Sequence, residues 1–212
     1  MKPPFSAVLS PAFVGALAVL GVEFFLIVSV VLQFARSDYD WITMPLSFYL
    51  LGPYSGWLVA AYFTLAAGIL LVGLGYYRDM ARDARSGAPL LLFAAAAVSV
   101  AVVALAHTDT AEGPHPTAHG LVHNAAAALA FLSVTVAMLI QSWRLRYDAR
   151  WKPYHVKAFL LAATTFATLW IYALWGALPR GLAQKIVILL IVLWLLMAGR
   201  WLMLTRLRET KP

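Results

Sequence analysis

The sequence has no cysteine. Disulfides, thiol nucleophiles and thiolate metal sites are therefore excluded, and cysteine usage says nothing about the compartment. Charge is also scarce: Asp, Glu, Lys and Arg make up 12% of the 212 residues, while 63% are hydrophobic. A soluble domain of this length covers its surface with polar groups and is nearer half apolar. The alternating segments of about ten residues that a membrane β-barrel needs are missing too. So is a signal-peptide pattern. After Lys2 the apolar stretch runs from Ala12 to Phe34, too long for a signal core, and no small-x-small cleavage site follows it.

What the sequence does have is long apolar runs, at residues 7–34, 54–77, 88–107, 118–142, 157–178 and 183–204. Each is long enough to cross a hydrocarbon core of roughly 30 Å at about 1.5 Å per helical residue. In lipid the backbone must bond to itself, so each run is expected to be helical. The expected fold is all-α: one polytopic membrane domain over residues 1–212, a bundle of six transmembrane helices. Small residues such as Ala94–Ala97, Ala125–Ala128, Gly68, Gly73 and Gly75 let helix backbones approach closely. No internal repeat is visible, so an inverted-repeat transporter design has no support.

Thirteen of the 16 Lys and Arg fall on one side of this topology: at Lys2, Arg78–Arg85, Arg144–Lys157 and Arg200–Lys211. Arg36, Arg180 and Lys185 fall on the other. The split places both termini in the cytoplasm and makes the chain a multi-pass inner-membrane protein. Trp41, Trp57 and Trp175 fit an outer interface, and Trp143, Trp151 and Trp201 an inner one. The net charge of +7 then meets anionic membrane lipids, and nucleic acid is not an expected partner. A homo-oligomer or a partner membrane protein is compatible with the small-residue faces.

Sorting polar residues by depth gathers a candidate site on the outer side. Asp38, Asp40, Asp109, Glu112 and His115 fall in outer loops, and His107, His119, His123 and Asn124 at outer helix ends. His119 and His123 are four apart, so their rings are expected on one helix face, able to share a metal ion. Pro116 suits the first helical position, which leaves His115 outside the helix. His107 and Asp109 could complete the ligand set, with a divalent metal such as zinc as the cofactor. There is no His-Glu-x-x-His motif, so the metalloprotease reading lacks its general base. Interfacial histidines bonded to loops and headgroups are the plainer alternative. Glu23 lies inside the first run, where a carboxylate must be paired or protonated. Asp38 and Asp40 could hold a cation or be solvated. The segment Trp41–Leu51 is apolar but too short to span, and is expected to lie along the interface or fold back as a lid.

Two stretches resemble the signatures of one family. Asp38-Tyr-Asp40-Trp41 with Pro45-Leu-Ser47-Phe-Tyr-Leu-Leu-Gly52-Pro53 is similar to the first signature of the domain of unknown function 998 family. His107-Thr-Asp109 with Thr117-Ala-His119-Gly120-Leu-Val-His123 is similar to the second. The resemblance covers roughly residues 10–200. It departs from the family pattern before Asp109, where Ala106-His107-Thr108 stand in place of Phe-Pro. It implies a six-pass prokaryotic membrane protein without an established activity, and marks Asp38, Ser47, Gly52, Asp109, His119 and His123 for testing.

Three readings share these residues. As a membrane hydrolase or transferase acting on a lipid-like substrate, the chain would use His119, His123, Asp109 and His107 for a metal, and Glu23 or Asp38 as acid or base. Ser47, Asp40 and Asn124 would bind the ligand. As a proton- or cation-coupled transporter or small-ligand binder, it would use Glu23 and the histidines as a relay or site. As an accessory subunit it would need none of them.

Overall fold

Pro11 starts the first helix, where its missing N–H costs nothing, and Ser10 caps it by accepting from Phe13 N at 3.2 Å. This helix, α1 (Pro11–Ala35), is followed by α2 (Ser55–Asp79), α3 (Gly87–Leu105), α4 (Ala118–Leu145), α5 (His155–Leu174) and α6 (Arg180–Glu209). Short 3-10 turns at Leu46–Leu50 and Lys152–Tyr154 lie in two of the connections. The structure is a computed structural model describing residues 10–110 and 116–209, with side chains to Leu204. Glu112 and His115 lie outside the described residues, as does the start of the first run. All six helices are long and apolar enough to cross a membrane, and no strand occurs among the described residues.

Each helix packs on its sequence neighbours, and α6 returns against α1, so the six close a ring. Glycine makes the closing seam tight. A Cβ on Gly15 would lie 2.6 Å from the Gly199 carbonyl oxygen. α2 and α6 also touch across the middle. The connections 36–54 and 175–179, with residues 106–110 and 116–117, lie at one end of the ring, here the odd end. The connections 80–86 and 146–154 share the other, the even end, with the terminal ends of α1 and α6.

The even end is cross-linked. Buried Asp148 accepts from Ala81 N and Arg150 N, both at 2.9 Å. Arg144 donates to the Ala84 carbonyl at 2.7 Å, and to Asp83 O and Arg85 O. Arg150 donates to the Asp79 carbonyl and pairs with its carboxylate. Aromatic rings fill the space above: Phe93 on Trp194, Tyr76 on Trp151, and Tyr154 on Trp201. Trp194 Nε1 donates to Ser142 Oγ and Ala158 O, both at 3.1 Å. Trp151 is buried, because the loop that carries it folds onto α2.

The odd end has a lid. The segment 41–46 bonds to the start of α6: Gly181 N donates to Thr43 O at 3.1 Å, Leu182 N to Ile42 O at 2.7 Å, and Lys185 Nζ to Trp41 O and Met44 O. Leu46, Tyr49 and Leu50 are buried beneath. Three boundaries differ from the sequence reading. α3 ends at Leu105, leaving His107 beyond it. α5 runs from His155 to Leu174, because residues 175–178 form a turn ahead of Pro179. Pro116 precedes α4 rather than opening it, because the Thr117 hydroxyl takes the capping role, accepting from Gly120 N at 3.0 Å.

Candidate functional site

Beneath the lid the ring does not close completely. A cavity lies between α1, α2, α3, α4 and α6, walled by Phe25, Leu65, Val103, Ala130, Ile188 and others. The cavity is narrow, with a volume of about 70 Å³. The walls are apolar, and the polar lining residues are Ser47 from the lid, Tyr62 from α2, His123 from α4 and Gln184 from α6. A mostly apolar concavity with a few convergent polar groups is the usual form of a small-molecule site.

His123 is the most buried of these, 2% exposed. Its Nδ1 lies 2.7 Å from the Ala106 carbonyl oxygen at the end of α3. A carbonyl only accepts, so Nδ1 carries the hydrogen. Gln184 is fixed similarly: its Oε1 accepts from Leu46 N at 2.8 Å, tying the lid to α6.

The sequence-derived histidines separate. His119, one turn nearer the odd end than His123, rises past the end of α3 and is exposed. Its ring meets that of exposed His107, with centroids 6.2 Å apart, while His123 points inward. Asp109 bonds elsewhere: it accepts from the Thr117 hydroxyl, and from Thr117 N at 3.2 Å, over the start of α4. A carboxylate there suits the helix dipole. A side chain on Gly120 would run into it. The expected metal set of His119, His123, Asp109 and His107 is thus not one cluster. No group of three His, Asp or Glu among the described residues could hold a metal ion.

The other carboxylates are engaged as well. Arg36, buried just after α1, grips Asp38 through Nε at 2.8 Å and Nη2 at 2.7 Å, and donates from Nη1 to Leu51 O at 2.6 Å. These bonds hold the Asp38 carboxyl below the usual range, and raise the Arg36 guanidinium further. Arg36 thereby clamps the turn into α2, where Gly52 and Tyr54 both have positive φ, 72° and 66°. Glycine fits that conformation freely and Tyr54 does not. Asp40 caps its own turn, accepting from Ile42 N and Thr43 Oγ1, and these bonds lower its pKa. Asn124 is exposed and does not line the cavity.

Glu23 is not at the odd end. It lies midway along α1 on the surface of the ring, 3.1 Å from Arg200 on α6. Helical side chains lean toward their own N-terminus. Those of antiparallel α1 and α6 therefore lean toward each other, which closes the gap between the two levels. Of the residues singled out from sequence, the cavity gathers only Ser47 and His123. Tyr62, Gln184 and the clamp residue Arg36 were missed. A lone amide beside Lys185 in the first turns of α6 was the available signal for Gln184.

A family profile described as Protein of unknown function (DUF998) matches residues 19–201. The chain belongs to this family. No curated protein and no solved structure matches it. The DUF998 match takes in the lid, the cap of α4 and every wall of the cavity. The two signature stretches now have places: the first builds the lid and its Arg36 clamp, and the second caps α4 and sets His123 into the cavity.

Proposed function

We propose that this multi-pass membrane protein binds a lipid-like amphiphile in the cavity, with the odd end on the outer face of an inner membrane. The observation that carries the reading is His123, buried, oriented by a backbone carbonyl and lining an otherwise apolar space under a lid. The apolar walls suit a slender hydrocarbon chain, and the polar residues near the lid suit its head. The clustering of Lys and Arg at the even end supports the orientation.

The other readings have less support. For metal-assisted hydrolysis, no three His, Asp or Glu come together among the described residues, and Asp38 is held by Arg36. A relay of Glu23 and the histidines would have to leave the cavity for the ring surface. The Phe93–Trp194 pair also fills the bundle toward the even end. Native mass spectrometry of protein extracted from membranes tests the proposal. We expect a bound amphiphile in the wild type, and its loss in Ala130→Phe, which fills the space. A folded wild type that stays empty after exposure to membrane lipid extract would overturn it.

A further inference from the structure

The hydrogen-bonding groups of the cavity restrict the head of its ligand, an inference that rests on the cavity being the binding site. His123 Nδ1 is spent on Ala106 O, so in the neutral ring Nε2 presents a lone pair. Gln184 Oε1 is spent on Leu46 N, which leaves the amide NH₂ as a donor. Ser47 and the Tyr62 hydroxyl can each donate or accept. Among the described residues, none of these four remaining groups has a hydrogen-bond partner. All four residues line one cavity.

No Asp, Glu, Lys or Arg lines it among the described residues. Two cations that hold the lid are engaged elsewhere: Lys185 with Trp41 O and Met44 O, and Arg36 with Asp38 and Leu51 O. An anionic or cationic head would therefore sit in an apolar space without a counter-charge, which is strongly disfavoured. A bare hydrocarbon would leave a buried imidazole nitrogen and an amide unmatched, which also costs free energy. A hydroxyl answers both needs, since its hydrogen can go to His123 Nε2 while its oxygen accepts from Gln184, Ser47 or Tyr62.

We infer that the ligand is an apolar chain with an uncharged hydroxyl head, a long-chain or isoprenoid-type alcohol, and that His123 is the acceptor that selects it. Detergent-purified wild type and His123→Phe would be compared by native mass spectrometry. The probes are a primary alcohol, a carboxylic acid, a quaternary ammonium and an alkane of equal chain length, at neutral pH. The alcohol is expected to occupy wild type with roughly tenfold higher affinity than the alkane, as one matched buried hydrogen bond allows. The acid and the ammonium should bind no better than the alkane. His123→Phe should bind alcohol and alkane alike.

An alcohol no better than the alkane, or an acid or ammonium that outcompetes it, overturns the head-group inference and leaves the cavity as a binding site. No probe bound to folded wild type overturns both. If His123→Phe does not fold, a variant combining Ser47→Ala, Tyr62→Phe and Gln184→Met, which removes every donor to the ligand oxygen, decides the matter. Loss of part of the alcohol preference supports the inference, and full preference overturns it.

Discussion

At the even end, two short connections are cross-linked by Asp148, Arg144 and Arg150, and aromatic rings fill the bundle above them. At the odd end, one long connection folds over the ring, clamped by Arg36 and pinned to α6, and a cavity remains beneath it. The even end has its hydrogen bonds in its loops and large rings in its interior. The odd end also ties down its loops, yet keeps open space and unspent polar groups beneath them. The even end has a buried polar group without a hydrogen-bond partner too, Trp151 Nε1, but it is packed among rings rather than beside a cavity. The two ends therefore differ in how fully their interiors are filled, and the ligand-binding proposal rests on that difference.

Substitutions can test that contrast. The largest effect is expected from Gly120→Val, which drives a side chain into Asp109 and breaks the cap of α4. We expect a loss of about 3 kcal/mol in chemical unfolding in mixed micelles. Asp148→Ala removes a buried acceptor from two backbone N–H groups at the even end. It should cost about 2–3 kcal/mol while leaving amphiphile occupancy in native mass spectra unchanged. Equal loss of stability and occupancy would mean that the two ends are not separable.

Arg36→Met frees the Leu51 carbonyl and the lid turn. It should cost about 2 kcal/mol and lower amphiphile occupancy as well, the reverse of the even-end pattern. The smallest effect concerns Asp38, which is 59% exposed. A carboxyl held low by folding contributes stability that is complete above its unfolded pKa, about 4, and is lost as pH falls through the folded value. The melting difference between wild type and Asp38→Asn should therefore be present at neutral pH and shrink as the pH falls below about 4.

Six helices were legible because a bilayer leaves a backbone few choices and hydropathy marks each run. The lid was legible as an alternative, since Trp41–Leu51 is apolar yet too short to span. The candidate site was only half legible. Spacing put His119 and His123 on one face, but spacing along a helix does not say where the neighbouring helix stops. Because α3 ends at Leu105, a single turn separates an exposed ring from a buried one. Sequence also gathered carboxylates by depth, whereas the fold assigned each its partner: Asp38 to Arg36, Asp109 to Thr117, Glu23 to Arg200.

By itself, then, the sequence determined that the chain is a six-span membrane bundle, where its loops lie, and which family it resembles. These follow from composition and local pattern. Only the tertiary structure decided that the helices close in a ring, that the first connection roofs it, and that His123, Ser47, Tyr62 and Gln184 meet in one cavity. Those four come from separate elements, and only the packing of the helices and the lid sets them side by side.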